Sequence, residues 1–196
     1  MNKLVIASNN PGKLREFQRM LAPLGIEVLT QSQLGITEAE EPHCTFIENA
    51  LAKARHVSRA SGLPALADDS GICVKALHGA PGVQSARFAG DNPKSDARNN
   101  EMLLQSMQGI EDRRAHYYCV LVVVHQADDP QPIIAEGEWH GEIAHEERGE
   151  GGFGYDPLFW LPELGRMSAE LSHNEKAQFS HRAQALKILL QRLQQA

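Results

Sequence analysis

The opening of the chain narrows its fold more than any other stretch. Lys3 to Ala7 is a short, β-branched apolar run that gives way at once to Ser8-Asn9-Asn10-Pro11-Gly12-Lys13. Beyond that turn, Leu14, Phe17, Met20, Leu21 and Leu24 recur at the three- and four-residue steps that line one face of an α-helix. A buried strand running directly into an amphipathic helix is a βα unit, which calls for a sheet covered by helices. Asn10 suits the N-cap, with Pro11 at the first helical position, where its missing N–H costs nothing. Gly25 closes the helix, and Ile26 to Leu29 reads as a second strand.

Downstream segments keep mixing strands and helices. Thr45-Phe46-Ile47-Glu48 fits a capping box and opens a helix that runs to Ser61 and stops at Gly62. Ala65 to Ala67 is a short strand expected to end in a turn at Asp68-Asp69-Ser70-Gly71, with Ile72 to Val74 resuming beyond it. Glycine and proline punctuate residues 79–93, and a helix is expected near 95–108. His116 to Gln126 reads as a long strand, and Ile133 to Glu142 alternates well enough to pair with it. A glycine-rich loop, Gly149 to Pro157, leads into apolar Leu158 to Leu161. The last helix runs from about Ser180 to Gln194, with Leu186, Leu189, Leu190 and Leu193 on one side. These patterns predict an α/β or α+β fold on a mixed sheet, with α/β favoured, as one domain over residues 1–196.

Composition removes several function classes. With 42% apolar and 22% charged residues, the 196-residue chain is globular rather than disordered. Lys+Arg is 19 against Asp+Glu 25, a net charge of −6, which argues against a broad basic surface for gripping nucleic-acid polymers. One small anion in a locally positive pocket is still compatible with that balance. The longest core-like run, Cys119 to Val124, falls far short of the roughly 18–20 apolar residues of a membrane span. Three widely spaced cysteines without a Cys-x-x-Cys pair suggest neither a disulfide framework nor a cysteine-rich metal site. The expectation is a cytoplasmic protein without a membrane or nucleic-acid partner.

Four segments carry candidate chemistry. Ser8 to Lys13 ends a strand at a helix N-terminus, where free N–H groups and the dipole favour an anion. Lys13 opposes that dipole, so an anion between it and the N–H groups would explain its position; a solvated lysine on an ordinary capped helix is the plainer account. Asp68-Asp69-Ser70 emerges where open α/β sheets place their ligands, and adjacent carboxylates invite a shared hard cation such as Mg²⁺. Glu40-Glu41 is a second acidic pair, and solvated glutamates or a plain Asp-Ser-Gly turn would account for the same residues. Phe153-Gly154-Tyr155-Asp156 offers aromatics to stack on a flat ligand and a carboxylate to accept from it, or else a loop whose aromatics plug the core. Ser180-His181-Arg182, with Lys176 before it, again sets cations at a helix start. No His-Glu-x-x-His or Gly-x-Ser-x-Gly pattern is present, so neither a zincin site nor a serine nucleophile is suggested.

Taken in order, Ser8 to Lys13, Thr45-Phe46-Ile47-Glu48-Asn49-Ala50, Asp68-Asp69-Ser70-Gly71, Gly152 to Pro157 and Ser180-His181-Arg182 span essentially the whole chain. The set resembles the inosine triphosphate pyrophosphatase family, in its bacterial dITP/XTP pyrophosphatase branch. That resemblance implies an elongated α/β fold with a long mixed β-sheet flanked by helices, two lobes and a central cleft, as a homodimer. It implies Mg²⁺-dependent hydrolysis of noncanonical purine nucleoside triphosphates (ITP, dITP, XTP) to the monophosphate and pyrophosphate, keeping deaminated purines out of DNA and RNA. By the same resemblance, Ser8, Asn9, Asn10, Pro11, Gly12 and Lys13 hold the triphosphate, with Lys53 as a further phosphate contact. Asp69 is implied as proton acceptor and metal ligand, Glu40 or Glu41 as the second metal ligand, and Ser70 as a substrate contact. Phe153, Gly154, Tyr155 and Asp156 frame the base, and Lys176, His181 and Arg182 read it. Asn9 departs from the glycine that relatives often carry there. Two alternatives stand beside this reading: a pyrophosphatase for other modified nucleotides, and a nucleotide-binding protein without catalysis.

Overall fold

The structure, a computed structural model, describes residues 1–90 and 92–195. Its sheet has seven strands: β1 (Lys3–Ile6), β2 (Glu27–Thr30), β3 (Ala65–Val74), β4 (Arg114–Val124), β5 (Ile133–Ile143), β6 (Phe159–Leu161) and β7 (Arg166–Met167). Their order is β2-β1-β3-β4-β5-β6-β7. β1 runs parallel to both β2 and β3, whereas β6 is antiparallel to both β5 and β7, so the sheet is mixed as expected. Five helices accompany it: α1 (Pro11–Leu21), α2 (Phe46–Ser61), α3 (Asp96–Ser106), α4 (His173–Phe179) and α5 (His181–Gln195).

Helix boundaries follow the capping chemistry. The Asn10 side chain accepts hydrogen bonds from the Gly12 and Lys13 amides, and Pro11 begins α1. Thr45 caps α2 through the Glu48 amide, and Gly62, at φ +69°, ends it in the left-handed region that glycine tolerates. Two elements escape the sequence pattern: the two-residue strand β7 and the seven-residue helix α4 are too short for periodicity to register.

One expectation is overturned. Asp68 to Gly71 do not turn; they continue β3 without a break from Ala65 to Val74. β3 lies between β1 and β4, its pairing with β1 covering Ala65 and Leu66, and membership of the sheet outweighs the local turn tendency of Asp-Asp-Ser-Gly.

The chain divides into two compact units, each assembled from separated segments. The first comprises Met1–Asp69, Cys119–Glu136 and Ala185–Ala196; the second comprises Ser70–Tyr118 and Gly137–Gln184. In the first, Leu4, Ile6, Phe17, Leu21, Leu66, Leu121, Val123, Leu186 and Leu189 form one buried cluster. That cluster joins the apolar face of α1 to one face of α5 across the strands. In the second, Ile72, Leu103, Met107, Tyr117, Trp139, Tyr155, Leu158 and Phe159 form another. Consecutive β3 residues Asp69 and Ser70 fall in different units.

Candidate active site

In the first unit, the loop after β1 is stitched by its own side chains. Ser8 Oγ accepts from the Asn10 amide at 3.2 Å, and Asn9 Nδ2 donates to Glu38 Oε1 at 2.9 Å. Asn10 Oδ1 takes the Gly12 and Lys13 amides at 2.9 and 3.1 Å, two of the N–H groups that the sequence leaves for an anion. Lys13 has a protein partner as well. Its ammonium lies 2.6 Å from Oδ2 of Asp68, whose side chain is only 2% exposed. The cation set against the α1 dipole is thus held by a carboxylate from β3.

Asp69, one residue along, faces a different cation. Lys53 on α2 donates to Glu41 Oε1 at 2.6 Å and to Asp69 Oδ1 at 3.3 Å. Burial of Asp69 raises its carboxyl above the ordinary value; Lys53 opposes this, and the neighbouring Glu41 and Asp68 charges reinforce it. Burial alone would lower the Lys53 ammonium, but Asp69, Asp68 and Glu41 together hold it above its usual range. Asp69 Oδ2 is buried and meets no hydrogen-bond donor among the described residues. Glu40 is exposed, so of the acidic loop pair it is Glu41 that joins this group.

That arrangement fits a divalent cation. Three carboxylates (Glu41, Asp68, Asp69) gather around two ammonium groups (Lys13, Lys53). A buried carboxylate oxygen without a donor is a costly state that a metal or a water proton would relieve. Among the described residues, no group of three or more His, Cys, Asp and Glu is set to enclose a metal by itself. Mg²⁺ needs no such cage, since it is commonly held by one or two carboxylates plus water and substrate phosphates.

The second unit holds the remaining candidates. Asp156 is 4% exposed and is met by several protein donors, the Tyr117 hydroxyl among them. Its Oδ2 accepts from the Lys176 ammonium at 2.6 Å and the Phe153 amide at 2.9 Å, and its Oδ1 from the Ser168 hydroxyl at 2.7 Å. Gly154 is gripped from α3, its amide donating to Asp96 at 2.7 Å and its carbonyl accepting from Asn100 at 3.2 Å. The two aromatics of the loop part company. Tyr155 is buried, its hydroxyl donating to the Ser85 carbonyl at 2.8 Å, while Phe153 is 64% exposed. Only Phe153 is therefore open to stack on a base; Tyr155 plugs the core, the alternative the sequence allowed.

His181 and Arg182 start α5. The His181 ring stacks on Tyr117 with centroids 4.8 Å apart and planes at 11°. Arg182 is 8% exposed and donates to Ser70 Oγ at 3.3 Å. Ser180 Oγ accepts from the Ala183 amide at 3.3 Å, the cap its position predicts. Ser168, Tyr117, Asp96 and Asn100 are supporting residues that the sequence reading missed. Tyr117 carries a faint signal, as an inward position of an alternating strand; Ser168 sits between Met167 and Ala169 without any.

The comparisons agree with this fold. The Ham1 family model matches residues 4–192, and the chain belongs to the Ham1 family. It is 65% identical over 193 residues to a dITP/XTP pyrophosphatase of Nitrosomonas europaea, covering 98% of this chain and 95% of that one. It is also 65% identical over 195 residues to a dITP/XTP pyrophosphatase of Ralstonia nicotianae, covering 98% and 97%. Among solved structures, a HAM1 protein from Coxiella burnetii matches with a TM-score of 0.97 at 45% identity, covering 100% of both chains. A dITP/XTP pyrophosphatase from Mycobacterium abscessus matches with a TM-score of 0.80 at 39% identity, covering 96% of this chain and 98% of that one.

Proposed function

We propose that this chain hydrolyses the deaminated purine nucleoside triphosphates ITP, dITP and XTP to the monophosphate and pyrophosphate, removing them before they enter DNA or RNA. Relatives named dITP/XTP pyrophosphatase, 65% identical over nearly the whole chain, support the reaction. The structural observation that carries it is Asp69. Its carboxyl is raised in pKa, with one oxygen on Lys53 and the other buried without a donor among the described residues. That is the state of a proton acceptor waiting for water.

In this reading, water attacks the α-phosphorus, its proton passes to Asp69 Oδ2, and the bond to the β-phosphate oxygen breaks. Lys13 and the Ser8–Asn10 loop meet the phosphate oxygens, with Lys13 drawn from Asp68 toward the substrate's greater charge. Lys53 keeps Asp69 oriented through Oδ1. Glu41 and Asp69 are the residues that would hold Mg²⁺; when bound, such an ion neutralises phosphate charge and acidifies water. Phe153 stacks on the base, and Lys176, which only donates, favours the O6 acceptor of hypoxanthine and xanthine over the 6-amino donor of adenine. Guanine shares O6, so Lys176 alone does not separate it. This reading takes the chain to act as a cytoplasmic homodimer, both carried by the family resemblance alone.

Following the products of ITP turnover by ³¹P NMR tests the reaction. The proposal requires inosine monophosphate and pyrophosphate together. Inosine diphosphate with orthophosphate would exclude it.

A further inference from the structure

The group around Asp156 carries a consequence for base selection, resting on the function proposed above. Asp156 is a buried carboxylate and accepts only, so every contact to it comes from a donor. Lys176 and the Phe153 amide share Oδ2, at 2.6 and 2.9 Å. Ser168 donates to Oδ1 at 2.7 Å from a fully buried side chain, and the Tyr117 hydroxyl is a further hydrogen-bond partner of the carboxylate. Rotation about Cβ–Cγ carries both oxygens together, so a donor on Oδ1 adds to those on Oδ2 in holding the plane. With Oδ1 fixed by Ser168, the position of Oδ2 is set, and with it the Lys176 ammonium and the Phe153 backbone.

Packing leaves little slack. A Cβ added at Gly152 would lie 2.8 Å from Asp156 Cγ and 2.9 Å from Lys176 Nζ, so the loop backbone is pressed against this same pair. Tyr117 closes the group from β4, its hydroxyl pushed well above its ordinary pKa by burial and by the nearby Asp156 charge.

We propose that Ser168 is a positioning residue for purine recognition, pinning Asp156 so that Lys176 and the Phe153 loop are aimed at a base that presents an oxygen at position 6. Ser168 touches no substrate atom. It acts through Asp156, and its removal changes which nucleotide is preferred rather than how fast the phosphate bond breaks.

The test compares Ser168→Ala and Ser168→Cys with the unmodified protein, measuring kcat and KM for ITP and for ATP with Mg²⁺. In Ser168→Ala the KM for ITP should rise about tenfold, the scale of one charge-assisted hydrogen bond, with kcat within about twofold. The kcat/KM for ATP should stay unchanged, so the preference for ITP over ATP falls about tenfold. Ser168→Cys, of similar volume but a weaker donor, should lose part of that preference. Equal losses on both substrates, a loss confined to kcat, or an unchanged preference in both folded variants would overturn the inference. Collapse of both variants would overturn it too, because the hydroxyl would then be holding the fold rather than the lysine. Inactivity of the unmodified protein toward ITP, dITP and XTP is the separate result that defeats the proposed function.

Discussion

Lys13 and Asp68 form an ion pair of 2.6 Å, with the Asp68 side chain 2% exposed and that of Lys13 21%. The lysine that opposes its own helix dipole thereby stabilises a buried carboxylate. Removing it acts on stability as well as on phosphate binding. We expect Lys13→Ala to lower unfolding free energy by about 2–3 kcal/mol, the lower edge of breaking a buried pair because Lys13 is partly exposed. In urea titrations the double variant Lys13→Ala/Asp68→Asn should recover a good part of that loss. An unchanged midpoint for Lys13→Ala would mean the pair contributes nothing to the fold.

Asp69→Asn should reduce kcat for ITP by about 10²–10⁴-fold, the usual range for a positioned general base. Its effect on stability runs the other way. Burial raises the folded carboxyl pKa, so as pH rises above about 3.9 the unfolded chain releases its proton first. In that window the native state binds more protons, and stability without metal falls as pH rises until the folded group also ionises. Asp69→Asn should flatten this slope in pH-dependent urea titrations with chelator present. Hydrolysis, which needs the ionised form, should rise with pH through the same interval.

The three cysteines should separate in thiol chemistry. Cys44 is exposed, Cys119 is buried, and burial with the nearby Glu138 charge pushes the Cys73 thiol up to about 11. Iodoacetamide at pH 8 is expected to alkylate Cys44 in the native protein and spare Cys73, because the thiolate is the reacting form. Peptide mass spectrometry reads the sites. Equal labelling of Cys44 and Cys73 at that pH would contradict the environment described for Cys73.

Gly152→Ala should damage base binding more than the phosphate end. Gly152 has φ +79°, which a side chain tolerates poorly, and a methyl there would press on Asp156 and Lys176. The expected result is a KM for ITP raised by tenfold or more, with a cost in stability of about 1–2 kcal/mol from the strained backbone. A KM within twofold of the unmodified protein would show that the loop yields without consequence.

Much of this architecture was legible in local chemistry. Asn10-Pro11 marks the start of α1, and Thr45 with Gly62 brackets α2 at the observed residues. These signals are read one turn at a time and need no knowledge of the rest of the chain. Asp68 to Gly71 failed because their local tendency is a turn, while ladder partners distant in sequence make them strand. The site divides along the same line. Clustered polar residues such as Asp68-Asp69 announce themselves. That Lys13 pairs with Asp68, that Glu41 rather than Glu40 reaches Lys53, and that Ser168 supports Asp156 are facts about residues 55, 12 and 12 positions apart. Aromatic roles were equally hidden: Phe153 and Tyr155 share one motif, yet only the fold sends one outward and the other into the core.

The central claim is that the chain selects deaminated purine triphosphates and cleaves them with Asp69. Steady-state pyrophosphate release with Mg²⁺, compared across ITP, dITP, XTP, GTP and ATP, tests it most directly. The account predicts kcat/KM values for ITP, dITP and XTP at least about 10–100-fold above those for GTP and ATP, with the ITP signal lost in Asp69→Asn. Comparable turnover of GTP and ITP, or full ITP hydrolysis by Asp69→Asn, would contradict it.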